Sequence, residues 1–396
     1  MPILSRIYTA ESFGQFQVYM AILNVLLMIV AFRYEVAMLS ATAGEEYSGL
    51  LRLILRLIVA TSCITFLVLL TVYALSESII KHSPALLLML APAMFIGGIN
   101  QMATYLPMRN QNYTLSAKSK IFQSIGYVVA AFAAYITPLA SMGLILADIV
   151  GRLFSTLSIF RGSPGTASEL TKRISGEHFR ELAHKFRKFP LFTFPGTLIS
   201  SLSATLLPLV FVRVYGFEVA GQYALIERVI LLPVAVIAGA SMQVFTGDFS
   251  ENLRNPSVDL NSLFRKVLRN HALLAVLPCL LGMFLLPTLI PIVFGENWQL
   301  AGRLGAIAMP IAFMNFLVQP LTMTLIMCDK QWLQIGWEIF RPIIMILSFA
   351  PLYFDPTTSP ENALMFFTAA VVLVYAVFLL LAERATRQFS SEKNKV

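Results

Sequence analysis

Charge is scarce in this 396-residue chain: Asp, Glu, Lys and Arg together make up 13%, against about 25% in a soluble domain. Cysteine is scarcer still. Cys63, Cys279 and Cys328 stand alone in or beside apolar runs, which excludes a disulfide framework and a CxxC redox or zinc motif. The histidines, His82, His178, His184 and His271, sit in or beside polar stretches with no metal-ligand spacing. Neither a phosphate-binding GxxxxGK loop nor GxGxxG nor HExxH occurs, which argues against nucleotide hydrolysis within this chain.

Apolar residues fill the space that charge leaves. They make up 57% of the chain and mean hydropathy is +0.75, too much for a water-facing surface, so the composition implies an all-α polytopic membrane protein. A spanning helix needs about 20 mostly apolar residues. Eleven runs qualify: 15–39, 53–75, 84–106, 121–137, 139–160, 189–212, 219–246, 271–294, 303–327, 334–354 and 362–383. The fourth reads as short and ends near Pro138. The longest polar gap, 161–188, divides the chain into 1–160 with five spans, a linker, 189–383 with six spans, and a tail at 384–396.

Lys and Arg are distributed unequally over the two sides of this topology. One side carries 22 of them, including the 161–188 gap and the tail; the other carries Arg6, Lys81, Arg213 and Arg303. Cytoplasmic loops are the cation-rich ones, so the linker and the C-terminus are expected in the cytoplasm. The +8 net charge is then a solvated inner surface facing anionic lipid, with no call for nucleic acid.

The chain repeats itself. RIYTAESFGQF (6–16) and RVYGFEVAGQY (213–223) are identical at five of eleven positions, and a proline precedes each. INQMATYLPMRNQNY (99–113) and LVQPLTMTLIMCDKQW (317–332) echo one another more loosely. The copies cross in the same direction, as in transporters built from parallel repeats. The second copy is preceded by a whole span that the first lacks, which predicts a six-plus-six plan of two pseudo-repeated helical bundles without its first helix.

These segments carry a family resemblance. PILSRIYTAESFGQFQVY, AFRYEVAML (31–39), LLPVAVIAGASMQVF (231–245) and FGENWQLAGRL (294–304) resemble bacterial polysaccharide transporters, the O-antigen and capsule flippases of the multidrug/oligosaccharidyl-lipid/polysaccharide exporter superfamily. The likeness covers essentially the whole chain. It implies alternating access, a polyprenyl-diphosphate-linked glycan as cargo, the bacterial inner membrane, and neighbours such as a polysaccharide polymerase and chain-length proteins. No cofactor is implied; the energy would come from a proton or sodium gradient. The alternatives are a drug/cation antiporter of the same superfamily and a membrane polysaccharide polymerase. An enzyme of the latter kind needs a large outer loop, and outer gaps such as Ser76–Ser83 are short.

Ionisable side chains within spans are costly and functional or paired. Asp148 and Arg152 at i,i+4, and Glu338 and Arg341 at i,i+3, share helix faces and suit either structural pairing or ion coupling. Arg33 and Glu35, two apart on a continuous helix, face different sides, and adjacent Glu227 and Arg228 cannot meet one partner. These four are expected to line a cavity. Arg33 and Arg228 would hold a diphosphate, for which a forked guanidinium is suited. Asn100, Gln101, Asn315, Gln319 and Gln243, with Tyr105, would face the sugars, although an isolated amide in a span often only bonds across helices. In the linker, Phe179, Leu182, Phe186 and Phe189 form a stripe beside Arg180, Lys185, Arg187 and Lys188, which suits a helix on the inner leaflet or a plain strap.

Overall fold

The computed structural model describes all residues except 1, 40, 43, 76–83, 111, 138–141, 166–175, 255–259, 356 and 394–396. Pro138 and residues 166–175 of the linker therefore lie outside the described residues. Among those described, the chain is helical without strands. Among the described residues, eight stretches are long and apolar enough to cross a membrane, and one of them, Phe194–Thr246, holds two of the eleven runs. The two remaining runs are also helices, α5 (Pro84–Arg109) and α6 (Tyr113–Tyr135). The fourth run lies largely in a 23-residue helix, Tyr113–Tyr135, which is not one of the eight stretches. Lys118, Lys120 and the hydroxyl residues at its start mask a helix that begins at Tyr113, where the Asn112 side chain accepts the Leu115 amide at 3.0 Å.

Two compact units form: Gln15–Thr205, and Met1–Gly14 together with Leu206–Val396. The first contains most of α2 (Ala10–Ile29), then α3 (Tyr34–Ala37), α4 (Glu45–Leu75), α5, α6, α7 (Gly143–Gly162) and α8 (Gly176–Lys185). The run at 15–39 is not one helix. It breaks between α2 and α3, where Phe32 (φ 48°) and Arg33 (φ 64°) adopt left-handed backbone. Packing holds the break: the Phe32 ring meets Phe194 edge-on at 5.5 Å, and the Tyr34 hydroxyl donates to the Ala183 carbonyl at 3.0 Å. Arg109 donates to the carbonyls of Met38 and Ala41, closing the chain after α3.

Helix α8 lays its aromatic stripe on protein. Phe179, Leu182 and Phe186 are buried, the Arg56 guanidinium of α4 stacks 4.0 Å from the Phe179 ring centre, and Lys185 pairs with Glu46 at 2.8 Å. The contacts favour the strap over a lipid-facing helix.

The second unit contains α1 (Pro2–Ile7), the end of α9 (Phe194–Ile226), α10 (Leu232–Arg254), α11 (Leu260–Phe294), α12 (Gln299–Val318), α13 (Thr324–Met327), α14 (Gln331–Leu347), α15 (Ala350–Phe354) and α16 (Pro360–Lys393). Its core gathers Phe245, Phe249, Phe264, Trp337 and Phe378. Leu273, Leu277 and Phe284 of α11 stay exposed, as lipid-facing residues of a span must.

The two copies of the sequence repeat touch each other within this unit. A Cβ built on Gly14 would lie 1.8 Å from the Phe217 carbonyl oxygen, and one built on Gly221 would lie 1.7 Å from the Ala10 carbonyl oxygen. Positions 10 and 217, and 14 and 221, are the same pair in repeat register. The contact is reciprocal, and only glycine lets the backbones approach this closely.

Candidate functional site

Polar groups in the spans gather into distinct clusters. In the first, Arg33 Nη1 lies 3.3 Å from Glu35 Oε1, and Gln101 of α5 donates to that same oxygen at 2.6 Å. This corrects the expectation that Arg33 and Glu35 face apart. That expectation holds for an unbroken helix, and the left-handed turn at Phe32–Arg33 removes its premise. Tyr105 of α5 lies beside Arg33 as well. Glu35 is 1% exposed. Its Oε2 and the Nε of Arg33 are buried without a hydrogen-bond partner among the described residues. A non-glycine residue in this backbone region costs about 1–2 kcal/mol, and two in succession mark a strained site of the kind found at ligand clamps.

The second cluster is better satisfied. Arg152 Nε donates to Asp148 Oδ2 at 2.8 Å, and the Tyr19 hydroxyl donates to the same oxygen at 3.1 Å. Asn100 donates to the Arg152 carbonyl at 3.2 Å and to the Thr156 hydroxyl at 3.1 Å. Asn100 therefore bonds across helices and is turned away from the neighbouring Gln101 contact. Tyr19 and Thr156 are partners that hydropathy alone does not single out.

In the second unit, Glu227 and Arg228 occupy a π-helical segment, Glu227–Leu231, where the turn widens between α9 and α10. Such segments are frequent at functional sites. Arg228 lies 5.9 Å over the ring of Phe13. Gln319 opens a 3-10 turn directly after α12, with its amide nitrogen 3.5 Å from the place of a Cβ on Gly239. Asn315 is half-buried one turn earlier, whereas Gln243 is exposed on α10. Glu338 and Arg341 pair at 3.0 Å beside Trp337, and Gln334 donates to Glu338 at 3.2 Å.

Gln222, the glutamine of the second repeat motif, has a structural role that the sequence did not disclose. It donates to the Asn297 carbonyl at 2.7 Å and accepts the Ala301 amide at 3.0 Å. This clamps the FGENW turn, whose Gly295 (φ 111°) takes a backbone conformation suited to glycine. Among the described residues, no group of His, Cys, Asp and Glu is arranged to hold a metal ion.

Fold and polar clusters together define a multi-pass helical membrane protein with charged groups organised inside its spans. Residues 3–303 match the model of the polysaccharide biosynthesis protein family, and the chain belongs to that family. A comparison with curated proteins found no match. Solved structures share the fold. A multidrug resistance MATE family transporter of the MOP superfamily, in an inward-facing conformation, is similar at 15% identity and TM-score 0.70, over 100% of this chain and 96% of that one. The lipid II flippase MurJ, inward closed, is similar at 13% identity and TM-score 0.74, over 99% and 88%. A MOP superfamily transporter from Pyrococcus furiosus is similar at 14% identity and TM-score 0.59, over 98% and 91%.

Proposed function

We propose that this chain is a flippase, not an enzyme, that moves a polyprenyl-diphosphate-linked oligosaccharide across the bacterial inner membrane for surface polysaccharide such as O-antigen or capsule. It works by alternating access, with the linker and C-terminal tail in the cytoplasm and a proton or sodium gradient as the energy source. Family membership supports the pathway. The observation that carries the cargo assignment is Arg33: a mostly buried guanidinium, held in a strained turn, with one nitrogen unsatisfied and only a long contact to its carboxylate. A diphosphate would complete that donor set with forked bonds. The same feature favours an anionic cargo over the cation of a drug antiporter. Arg228, on the widened turn Glu227–Leu231, is a separate candidate diphosphate contact, with Glu227 beside it. Gln101, Asn315, Gln319 and Gln243 serve the glycan. Asp148–Arg152 and Glu338–Arg341 serve structure or ion coupling. Membrane lipids, a polymerase and chain-length proteins are the expected partners.

Complementation of a flippase-null strain tests this. A hydrogen bond to a charged group contributes about 1.5–3 kcal/mol, so Arg33→Ala and Arg228→Ala should each weaken cargo binding by roughly 10- to 100-fold and reduce surface glycan at unchanged membrane levels. Arg→Lys should rescue only in part, because an ammonium lacks the fork. Normal surface glycan from both alanine variants refutes the assignment.

A further inference from the structure

Two acid–base pairs of the first unit, Asp148–Arg152 and Arg33–Glu35, differ in kind. Arg152 and Asp148 meet at 2.8 Å, and Tyr19 supports the carboxylate. That is the length of a full charge-assisted bond, about 2.7–2.9 Å. Arg33 and Glu35 meet through a single nitrogen at 3.3 Å, and each keeps a buried polar atom without a hydrogen-bond partner among the described residues. The first pair leaves no buried polar side-chain atom without a partner among the described residues. The second is incomplete on both sides, although Glu35 is buried and Arg33 mostly so.

The backbone makes the second pair conditional. On a continuous helix, residues two apart point about 200° away from one another, so Arg33 and Glu35 meet only while Phe32 and Arg33 hold their left-handed conformation. Glu35 is tied to α5 through Gln101 at 2.6 Å, whereas Arg33 side-chain contacts run to the long pair, to Tyr105 and to Met28 Sδ at 4.0 Å. The guanidinium is therefore the member of the pair that is free to change partner, and the carboxylate is the fixed one.

We propose that Glu35 is an internal substitute for the anionic group of the cargo: its carboxylate occupies Arg33 when the site is empty, and a diphosphate displaces it. This rests on the reading of Arg33 as a diphosphate contact and adds a competitor to it. The consequence is selectivity. A ligand takes Arg33 only if it offers more than one carboxylate does, which a diphosphate meets with several oxygens and a neutral or singly charged lipid does not. Empty, the guanidinium keeps a counter-ion and does not face the membrane interior alone.

The test uses the full chain in phosphatidylcholine nanodiscs, with farnesyl diphosphate as the probe and farnesol as the uncharged control. Glu35→Gln, which removes the competing charge, should tighten farnesyl diphosphate binding by about tenfold, a shift of about 1.4 kcal/mol, and leave farnesol unaffected. Arg33→Ala should weaken farnesyl diphosphate binding at least tenfold, and Glu35→Gln added to it should then have no effect. Unchanged binding by Arg33→Ala would overturn the diphosphate reading and this inference with it. Weakened binding by Arg33→Ala, together with unchanged or weakened binding by Glu35→Gln, would overturn the inference alone. So would equal tightening by Glu35→Gln in both backgrounds, since the effect would then not pass through Arg33. If Glu35→Gln does not fold, hydrogen exchange of amides 33–38 in the unsubstituted protein decides: saturating farnesyl diphosphate should change their protection, and identical exchange would overturn the inference.

Discussion

Placing a methyl group on Gly14 sets two effects of opposite sign against each other. Gly14 lies inside α2, and glycine in a helix interior is about 0.8–1 kcal/mol less favourable than alanine. Propensity alone therefore predicts that Gly14→Ala stabilises the protein. Packing predicts the reverse. The new Cβ would sit 1.8 Å from the Phe217 carbonyl oxygen, a backbone atom, and contacts under 3.0 Å essentially do not occur. No rotamer change relieves a clash between a Cβ and a carbonyl, so the two backbones must separate. Overpacking of a close-fitted interior costs about 1–3 kcal/mol, and more where the backbone must move. The packing term wins, and a net loss of about 1–2 kcal/mol corresponds to a fall in Tm of roughly 2–8 °C for a unit of about this size. Thermal unfolding in detergent, followed by tryptophan fluorescence, reads this directly. Gly221→Ala should behave alike, since its Cβ would lie 1.7 Å from the Ala10 carbonyl oxygen. The two losses should not add, because one separation relieves both clashes. Gly336→Ala is the control: an added Cβ there meets nothing within 4 Å, so propensity should act alone and Tm should rise slightly. A rise in Tm for Gly14→Ala comparable to that of Gly336→Ala would refute the close-contact argument.

Three further outcomes are expected. Asp148→Asn leaves Arg152 with its charge inside the membrane and uncompensated, which costs about 3–5 kcal/mol for a buried pair; a thermal melt indistinguishable from the parent would contradict this. Phe179→Ala removes the buried ring under Arg56 and should cost about 3–5 kcal/mol locally, read as faster proteolysis of α8, while Glu46→Gln, in an ion pair with a largely exposed lysine, should cost under about 1 kcal/mol. Between α15 and α16, Thr357 donates its amide and its hydroxyl to Asp355 Oδ1 at 3.0 and 2.6 Å, and these bonds hold the carboxyl below its ordinary range. A lowered carboxyl contributes stability above its ordinary pKa and loses it as pH falls through the lowered value, so Thr357→Val should move the Asp355 titration part of the way back up, measured by carboxyl-detected NMR.

Hydropathy located the apolar helices because a spanning helix must be apolar over a fixed length. It failed where polar residues begin a helix, as at Tyr113, since position in the membrane and position in the helix are then different things. It could not locate the break at Phe32–Arg33. Neither residue favours left-handed backbone, and the break is imposed by tertiary contacts, the Phe194 ring and the Tyr34–Ala183 bond, which no local pattern encodes. The Arg33–Glu35 pair was hidden for the same reason. Asp148–Arg152 and Glu338–Arg341 were legible because i,i+4 and i,i+3 spacing fixes them within one helix. The repeat was visible as letters, but the contact between its copies was not; glycine at matching positions was the available signal.

The reciprocal contact of Gly14 with Phe217 and of Gly221 with Ala10 has an evolutionary reading. When residue i of one copy meets residue j of the other, and j of the first meets i of the second, the surface is complementary to itself. Two identical half-length chains carrying the RxYxxExxGQ segment could make this same contact across a twofold axis, with one glycine from each. The interface would then predate the fusion of the halves, as the dimer seam of a single-repeat ancestor. Gene duplication would have frozen that seam into one polypeptide, freeing the rest of each half to diverge while the glycines at 14 and 221 stayed under a shared constraint.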